Sequence, residues 1–176
     1  SWHLGERYLE SLEEFQWIFR SPGISTLLPE IEAARQNGVR VHSQTQLFFD
    51  LRPAPIIGVT GTKGKGTTAA LLAQILGKNL EETVHLGGNI GVPPVGFLDS
   101  VGPSDRVILE LSSFQLQDLR TSPHLAVILG VTQDHLDYHA DVAEYVGAKS
   151  SICRYQQPDD WVVADLDNPV SQKLAT

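Results

Sequence analysis

Short apolar runs, separated by polar and glycine-rich segments, follow one another along the sequence from Ile56 onward. These runs do not alternate between apolar and polar positions, which is typical of parallel strands buried on both faces of a sheet. Helical patterns lie between several of them, notably over Thr67–Leu76 and Val142–Tyr155. The pattern predicts an α/β fold with a mostly parallel sheet. The predicted strands are Ile56–Thr60, Val84–Leu86, Arg106–Leu111, Leu125–Gly130 and Trp161–Ala164.

Residues 1–51 carry a shorter pattern of the same kind, which predicts the tail of a small Rossmann-like α/β domain. Pro29 at the first turn and Gly38 after the last favour a helix over Pro29–Asn37. Two prolines within residues 52–55 disfavour both helix and sheet, so we expect a linker there and a second domain over residues 56–176. The remaining predicted elements are strands over Phe15–Phe19 and Val39–Val41 and a helix over Gln44–Asp50.

The composition is that of an acidic chain, with a formal net charge of −8 and an isoelectric point near 5.1. This balance argues against a general binder of nucleic acid or of membrane surfaces. No apolar run reaches the roughly 18 residues of a membrane helix, and no basic-then-apolar signal pattern opens the sequence, so we expect a cytoplasmic protein. The single cysteine, Cys153, allows no internal disulfide and no cysteine metal cluster, and we expect it to be a small core residue.

The segment Thr60–Thr68 (T-G-T-K-G-K-G-T-T) stands between a predicted strand and a predicted helix. Its glycines allow a tight turn that directs N–H groups at an anion, and the following helix adds its positive end. Lys65 supplies a full charge for the β- and γ-phosphates of a nucleotide, and a hydroxyl at Thr67 or Thr68 can reach a magnesium ion. The spacing is shorter than in the regular G-x-x-x-x-G-K-[ST] loop, and a plain glycine-rich turn is the alternative. The predicted nucleotide-binding residues are Gly61, Thr62, Lys63, Gly64, Lys65, Gly66, Thr67 and Thr68.

The short loop form T-G-T-x-G-K resembles that of the Mur ligases and the folylpolyglutamate synthases, which use ATP to join an amino acid to a carboxylate. Further segments, in the same order along the chain, resemble the D-glutamate-adding members of the Mur ligase family. The segment Glu110–Leu116 (E-L-S-S-F-Q-L) is the most specific of them. The others are Ser21–Ile24 (S-P-G-I), Gly87–Gly91 (G-G-N-I-G), Asp134–His139 (D-H-L-D-Y-H) and Tyr145–Lys149 (Y-V-G-A-K).

This resemblance implies an ATP-dependent ligase that adds D-glutamate to UDP-N-acetylmuramoyl-L-alanine through an acyl phosphate, a step of peptidoglycan precursor synthesis. A carboxylate that attacks a γ-phosphate brings two anions together, and lysine and Mg2+ offset that repulsion. The implied cofactors are ATP and two Mg2+ ions, and the implied catalytic residues are Lys65, Glu110, His135 and Lys149. Of these, Glu110, His135 and a carbamate formed by CO2 on Lys149 would bind metal, together with Thr67. Judged without the resemblance, Glu110 could equally be a capping or surface carboxylate, and the position of Lys149 on a helix favours a solvated lysine.

Neutral hydrogen-bonding side chains resemble the substrate contacts of the family. The expected partners are the small molecules UDP-MurNAc-L-Ala and D-glutamate, with no nucleic acid and no membrane, and we expect a monomer. Asn89 has a simpler alternative as a turn residue, because glycines flank it. The implied substrate-binding residues are Asn89, Ser112, Gln115 and His135 at the muramoyl-alanine end, and Ser21, Pro22 and Gly23 at the UDP portion.

Three positions depart from the family pattern. Mur ligases usually carry Ser or Thr after the loop lysine, where this chain has Gly66, and Asn is common where it has Lys63 and Gly130. Gly66 is shared with folate ligases, so a folylpolyglutamate synthase-like ligase is one alternative. A non-catalytic nucleotide- or UDP-sugar-binding module is another. The resemblance also implies that a C-terminal ligase domain lies outside the sequence, so we expect the chain alone to have weak or no ligase activity.

Overall fold

A computed structural model describes residues 4–79, 81–132 and 141–176. The chain divides into two compact units, Ser1–Gln44 and Thr45–Thr176. The second unit thus includes the residues that sequence analysis placed at the end of the first domain and in the linker. The assignment of domains from sequence stays a prediction.

The first unit contains a pair of parallel strands, β1 (Trp17–Arg20) and β2 (Arg40–Ser43), with the helix α1 (Pro29–Gln36) between them in sequence. Proline at the first position of α1 fits the helix start, where its missing N–H is not needed. Gly38, with φ of 86°, adopts the left-handed conformation after the helix. The predicted small α/β pattern is confirmed, with strand boundaries shifted toward the C-terminus.

The second unit contains a five-stranded sheet in the order β4-β5-β3-β6-β7, and every neighbouring pair is parallel. The chain crosses from one side of β3 to the other after β5. Such a change of side creates a crevice beyond the carboxyl ends of the strands, where ligands of open α/β sheets bind. The strands are β3 (Ile56–Thr60), β4 (Val84–Gly88), β5 (Arg106–Glu110), β6 (Leu125–Ile128) and β7 (Trp161–Ala164).

Helices cover both faces of this sheet. One face packs against the helix α3 (Lys65–Asn79), where Val59, Ile108 and Val127 contact Ala69. The opposite face carries a larger core that includes aromatic residues from two other helices, among them Phe48. Burial on both faces of the three central strands explains why their sequences do not alternate, whereas the edge strand that ends the sheet exposes Trp161 and Val163. The helices are α2 (Gln44–Leu51), α3 (Lys65–Asn79), α4 (Ser113–Leu116), α5 (Val142–Arg154) and α6 (Pro169–Leu174).

Helix α3 is longer at both ends than the predicted Thr67–Leu76. It begins at Lys65, so the loop itself is Gly61–Gly64. Gly77, the residue after the predicted helix, does not end it, because α3 continues to Asn79. A glycine inside a helix costs only about 1 kcal/mol relative to alanine, which its neighbours in a long helix offset.

Two α-helices of the described part of the chain were not predicted. The helix α4 has four residues, too few to show a hydrophobic period. The start of α6 does carry a recognisable signal: Asn168 caps the helix by accepting a hydrogen bond from the N–H of Ser171, and Pro169 follows at the first position. Strand β4 is also longer than predicted and runs through Gly87 and Gly88.

Cys153 lies on α5 and packs, partly buried, against the larger core. Burial raises the pKa of its thiol to about 11. This position agrees with the expected small core residue. Across the described ranges, no helix combines the length and apolarity that a membrane crossing requires.

Candidate functional site

The candidate site lies at the carboxyl ends of three neighbouring strands. Strand β3 ends at Thr60 and continues into the glycine-rich loop, β5 ends at Glu110, and β6 is followed by residues 129–132. In the sheet, Val59 pairs with Glu110 and Thr60 with Ile128, so these ends are adjacent. The order of the strands therefore brings the predicted phosphate loop next to the predicted metal-binding carboxylate.

The loop Gly61–Gly64 depends on two glycines with positive φ. The φ angles are 150° at Gly61 and 82° at Gly64, which L side chains rarely adopt. A Cβ at Gly61 would lie 2.7 Å from Cβ of Leu129, so the close approach of the two loops also requires glycine. The backbone N–H of Thr62 donates to the carbonyl oxygen of Gly130 at 2.9 Å. The loop is thus fixed against the segment that follows β6.

Lys65 begins α3, where the helix presents its positive end. Its ammonium group donates to the carbonyl oxygen of Thr62 at 3.0 Å, so the side chain folds back over the loop. Lys63 and Thr67 are exposed to solvent, and Thr68 is partly buried. Of the two loop lysines, only Lys65 is held against the turn that its charge would complement.

The Glu110 carboxylate is buried, with 4% of the residue exposed. Its Oε1 accepts a hydrogen bond of 3.4 Å from the side-chain amide of Asn89. Its Oε2 has no hydrogen-bond partner among the described residues. A buried carboxylate oxygen without a partner costs free energy, and a bound cation would remove that cost.

Gly66 faces this same oxygen. A Cβ at Gly66 would lie 3.3 Å from Oε2 of Glu110 and 3.4 Å from Cγ2 of Ile90. Successive residues of a helix point about 100° apart around the axis. The position directed at Glu110 is therefore the one that carries no side chain, rather than the neighbouring Thr67.

Lys149 on α5 is almost completely buried, with 2% exposed. Its ammonium nitrogen donates to the carbonyl oxygen of Gly61 at 3.2 Å and to the hydroxyl of Thr60 at 3.4 Å, and it lies 4.8 Å from the centroid of the Tyr145 ring. The alternative of a solvated lysine is therefore wrong. The hydroxyl of Thr60 in turn donates to the carbonyl oxygen of Leu111 at 2.9 Å, next to Glu110.

Ser112 and Gln115 form a capping box at the start of α4. The N–H of Gln115 donates to Oγ of Ser112 at 3.3 Å, and Oε1 of Gln115 accepts from the N–H of Ser112 at 3.0 Å. Both side chains thus stabilise the turn that follows Glu110. Their predicted contacts with substrate remain predictions.

Ser21, Pro22 and Gly23 lie in the loop after β1, in the first unit. The buried guanidinium of Arg20 donates to the carbonyl oxygens of Ser21 at 3.0 Å and Pro22 at 3.1 Å, and also to that of Ile24. Arg20 is not among the site residues predicted from the sequence. A charged residue at the end of a predicted strand, immediately before a proline turn, was the available signal.

Part of the predicted site lies outside the described residues. His135 and its neighbours Asp134, Asp137 and His139 fall within 133–140. Within the described ranges, no group of three or more His, Cys, Asp or Glu residues is placed to hold a metal ion. The predicted metal ligands within the described residues are therefore Thr67 on α3, Glu110 at the end of β5 and Lys149 on α5.

Gly88 holds the loop of Asn89 against Glu110, and its replacement is expected to disturb both. Its φ is 106°, and a Cβ there would lie 2.2 Å from the backbone oxygen of Glu110. We expect Gly88→Ala to destabilise the protein by about 2–4 kcal/mol, because the backbone itself must move. Gly77→Ala, which enters open space in α3, should instead stabilise by about 1 kcal/mol. The urea unfolding midpoints of the two variants test this prediction. Equal midpoints would contradict the close contact between Gly88 and the backbone of Glu110.

These features define the class of protein: an α/β protein with a glycine-rich loop between a strand and a helix, beside a buried carboxylate at the crevice of a parallel sheet. The comparison with protein families gives the family directly. Residues 59–176 match the Mur ligase middle domain, which is most of the chain. The chain belongs to the Mur ligase family.

Curated relatives align along almost the whole sequence. A UDP-N-acetylmuramoylalanine–D-glutamate ligase of Symbiobacterium thermophilum is 47% identical over 171 residues, which cover 97% of this chain and 37% of that protein. A protein of the same name from Acetivibrio thermocellus is 44% identical over 172 residues, which cover 98% of this chain and 37% of that protein. The chain thus spans just over a third of the length of these relatives.

Solved structures agree on the fold. The UDP-N-acetylmuramate:L-alanyl-gamma-D-glutamyl-meso-diaminopimelate ligase from Neisseria meningitides superposes with a TM-score of 0.62 at 20% identity, over 94% of this chain and 57% of that one. MurF from Acinetobacter baumannii superposes with a TM-score of 0.56 at 20% identity, over 74% of this chain and 30% of that one. The predicted α/β fold with a mostly parallel sheet is confirmed.

Proposed function

We propose that this chain is the ATP-binding part of a ligase that adds D-glutamate to UDP-N-acetylmuramoyl-L-alanine. The observation that carries the proposal is the buried, unpartnered Oε2 of Glu110, which lies beside the start of α3 directly after the phosphate loop. The names of the relatives at 47% and 44% identity support the substrate class. We expect a cytoplasmic monomer that uses small molecules as partners and binds no nucleic acid or membrane.

The nucleotide would bind with its phosphates over the loop Gly61–Gly64. The turn and the first residues of α3 offer backbone N–H groups, and Lys65 offers a full positive charge. The ammonium group of Lys65 would exchange the carbonyl oxygen of Thr62 for phosphate oxygens. Lys63, which is exposed, would contribute at the outer side of the loop.

The residues at the site fit a divalent cation. Magnesium prefers hard oxygen ligands, and Oε2 of Glu110 is such an oxygen, buried and without a partner among the described residues. Bound Mg2+ would neutralise charge that develops during phosphoryl transfer. We assign His135 and Lys149 to the same two-ion site on the resemblance to the family. Gly66 stands toward Glu110 and offers no hydroxyl, so Thr67 or water would complete the coordination.

Lys149 is proposed to react as a neutral amine with CO2, giving a carbamate and releasing a proton. The product carries carboxylate-like oxygens in place of the ammonium. The support is burial: the nitrogen is removed from solvent and held by the oxygens of Thr60 and Gly61 at the end of β3. An oxygen ligand on this side chain would therefore emerge beside the phosphate loop.

The reaction begins with attack of the L-alanyl carboxylate on the γ-phosphorus of ATP, which forms an acyl phosphate and releases ADP. The amine of D-glutamate then attacks the acyl carbon, loses a proton and displaces phosphate from a tetrahedral intermediate. Positive charge from Lys65 reduces the repulsion between the carboxylate and the triphosphate. The proposed contacts with the UDP-linked substrate are Ser21, Pro22, Gly23, Asn89, Ser112, Gln115 and His135.

Substrate dependence of ADP release tests this function in the full-length protein that carries the chain. We expect release to require UDP-N-acetylmuramoyl-L-alanine together with Mg2+, and not to respond to a folate with L-glutamate. Lys63 and Gly66 are the two features of the sequence that favour the folate alternative. Release that depends on folate alone would refute the proposal.

A further inference from the structure

The hydroxyl of Thr62, a partly buried residue, has three polar atoms as neighbours. It donates to the carbonyl oxygen of Thr132 at 3.0 Å, accepts from the backbone N–H of Thr132 at 2.8 Å, and lies 3.2 Å from the hydroxyl of Tyr145. A threonine hydroxyl has one hydrogen to donate, which the carbonyl of Thr132 takes. Tyr145 must therefore be the donor in its contact with Thr62. We call these three residues the Thr62 network.

The backbone of the same residue is also engaged. The N–H of Thr62 donates to Gly130 at 2.9 Å, and its carbonyl oxygen accepts from the ammonium group of Lys65 at 3.0 Å. Phosphate binding by a loop residue requires only its backbone N–H group. Thr62 instead uses its side chain and its main chain to join the phosphate loop to two other parts of the second unit.

Both partners lead to proposed ligands. Thr132 is the last described residue before the segment 133–140, which contains His135 in the sequence. Tyr145 lies on α5 one turn before Lys149, and the ammonium nitrogen of Lys149 lies over its ring. The Thr62 network thus connects the lysine that would hold nucleotide phosphates with both elements that would carry metal ligands.

We propose that Thr62 is a positioning residue that couples nucleotide binding at the loop to the placement of α5 and of Thr132. A shift of the loop when phosphates bind would move the Thr62 hydroxyl and, through it, Thr132 and Tyr145. This inference rests on the proposed function, since it concerns the same site. It assigns Thr62 a role through other residues rather than contact with the reacting atoms.

Two substitutions separate the hydroxyl from the rest of the side chain. Thr62→Val keeps the shape but removes every hydrogen bond of the hydroxyl, whereas Thr62→Ser keeps the hydroxyl. In the full-length protein we expect Thr62→Val to lower kcat by roughly 30- to 100-fold, because small misplacements of reacting groups have effects of that size. Thr62→Ser should stay within about 3-fold, since the network is retained. Affinity for a fluorescent ADP analogue and urea unfolding are measured on the same samples.

Tyr145→Phe gives the second arm of a double-mutant cycle. The phenylalanine keeps the ring beneath Lys149 but loses the donor to Thr62. If the contact couples the two residues, the double variant loses no more nucleotide affinity and kcat than Thr62→Val alone. Losses that multiply independently would overturn the proposed coupling.

A purely structural role of Thr62 would have different consequences. It would lower the urea midpoint of Thr62→Val and leave kcat and nucleotide affinity of the folded protein unchanged, and that result would overturn the inference. Equal losses in Thr62→Ser and Thr62→Val would overturn it as well, because the hydroxyl would then be irrelevant. The cycle on nucleotide affinity needs no ligase turnover, so it can fail or succeed independently of the proposed substrate.

Discussion

Replacing Lys65 by alanine is expected to lower substrate-dependent ADP release by at least about 10³-fold in the full-length protein. Lys65 starts α3 and its ammonium group is held over the loop by the carbonyl oxygen of Thr62. A positive charge in this place binds the phosphates and also offsets the charge that develops as the γ-phosphoryl group leaves. Its removal should therefore affect kcat as well as KM for ATP, and steady-state kinetics over a range of ATP concentrations measures both.

Lys78→Ala supplies the matched control for this prediction. Lys78 is an exposed lysine in the last turn of the same helix, so its loss changes the net charge equally but leaves the loop intact. We expect its activity to stay within about 2-fold, because isolated surface charges contribute little. Similar losses in the two variants would show that general charge, and not the loop, determines ATP use.

Replacing Glu110 by glutamine is expected to separate metal binding from stability. The amide keeps the shape of the side chain but removes the negative charge that would attract the cation. We expect the apparent affinity for Mg2+ to fall at least about 100-fold, because even residues that only support a ligand change metal affinity by 10- to 100-fold. Turnover at a fixed Mg2+ concentration should fall accordingly, and excess Mg2+ should restore part of it.

In the absence of metal, we expect Glu110→Gln to cause no loss of folding stability, in contrast to its loss of Mg2+ affinity. The Oε2 atom of Glu110 is buried without a partner among the described residues, so a neutral side chain leaves less uncompensated charge in the interior. Glu110→Gln should unfold at the same urea concentration as the unmodified protein, or a higher one, when chelator is present. Mg2+ with nucleotide should then stabilise the unmodified protein more than Glu110→Gln, since stabilisation by a ligand grows with the affinity of the folded state for it.

Glu82→Gln is the control, because Glu82 forms a partly exposed ion pair of 3.4 Å with Arg106. Such pairs are worth little, so neither Mg2+ affinity nor turnover should change. A marked loss of metal-free stability in Glu110→Gln would contradict a metal-binding role, since it would show that the carboxylate serves the fold.

The sequence predicts the location of the site well because strand ends can be recognised without tertiary contacts. Apolar runs that end in a glycine-rich loop and in Glu110 indicate that both lie at the same edge of a parallel sheet, and the structure places them on neighbouring strands. The capping box of Ser112 and Gln115 also carried a local signal, a serine followed three residues later by glutamine. The resemblance instead assigned both residues to substrate binding.

The environment of Lys149 could not be predicted from its own helix. Its neighbours in sequence favour a solvated lysine over a buried one, and burial results from the end of β3 packing against α5. The same holds for Gly66, whose direction toward Glu110 depends on how α3 starts after the loop. Contacts between elements distant in sequence determine both positions, and hydrophobic periodicity contains no information about them.

The most direct test of the central claim is the product of the full-length protein that carries this chain. The protein is incubated with ATP, Mg2+, UDP-N-acetylmuramoyl-L-alanine and either D- or L-glutamate. The mass of the UDP-linked compound is then measured by mass spectrometry. We predict the addition of one glutamyl residue with D-glutamate, matched by release of one ADP, and no addition in Lys65→Ala. ADP release without an amide product, or glutamate addition to a folate in place of the UDP-linked substrate, would contradict the account.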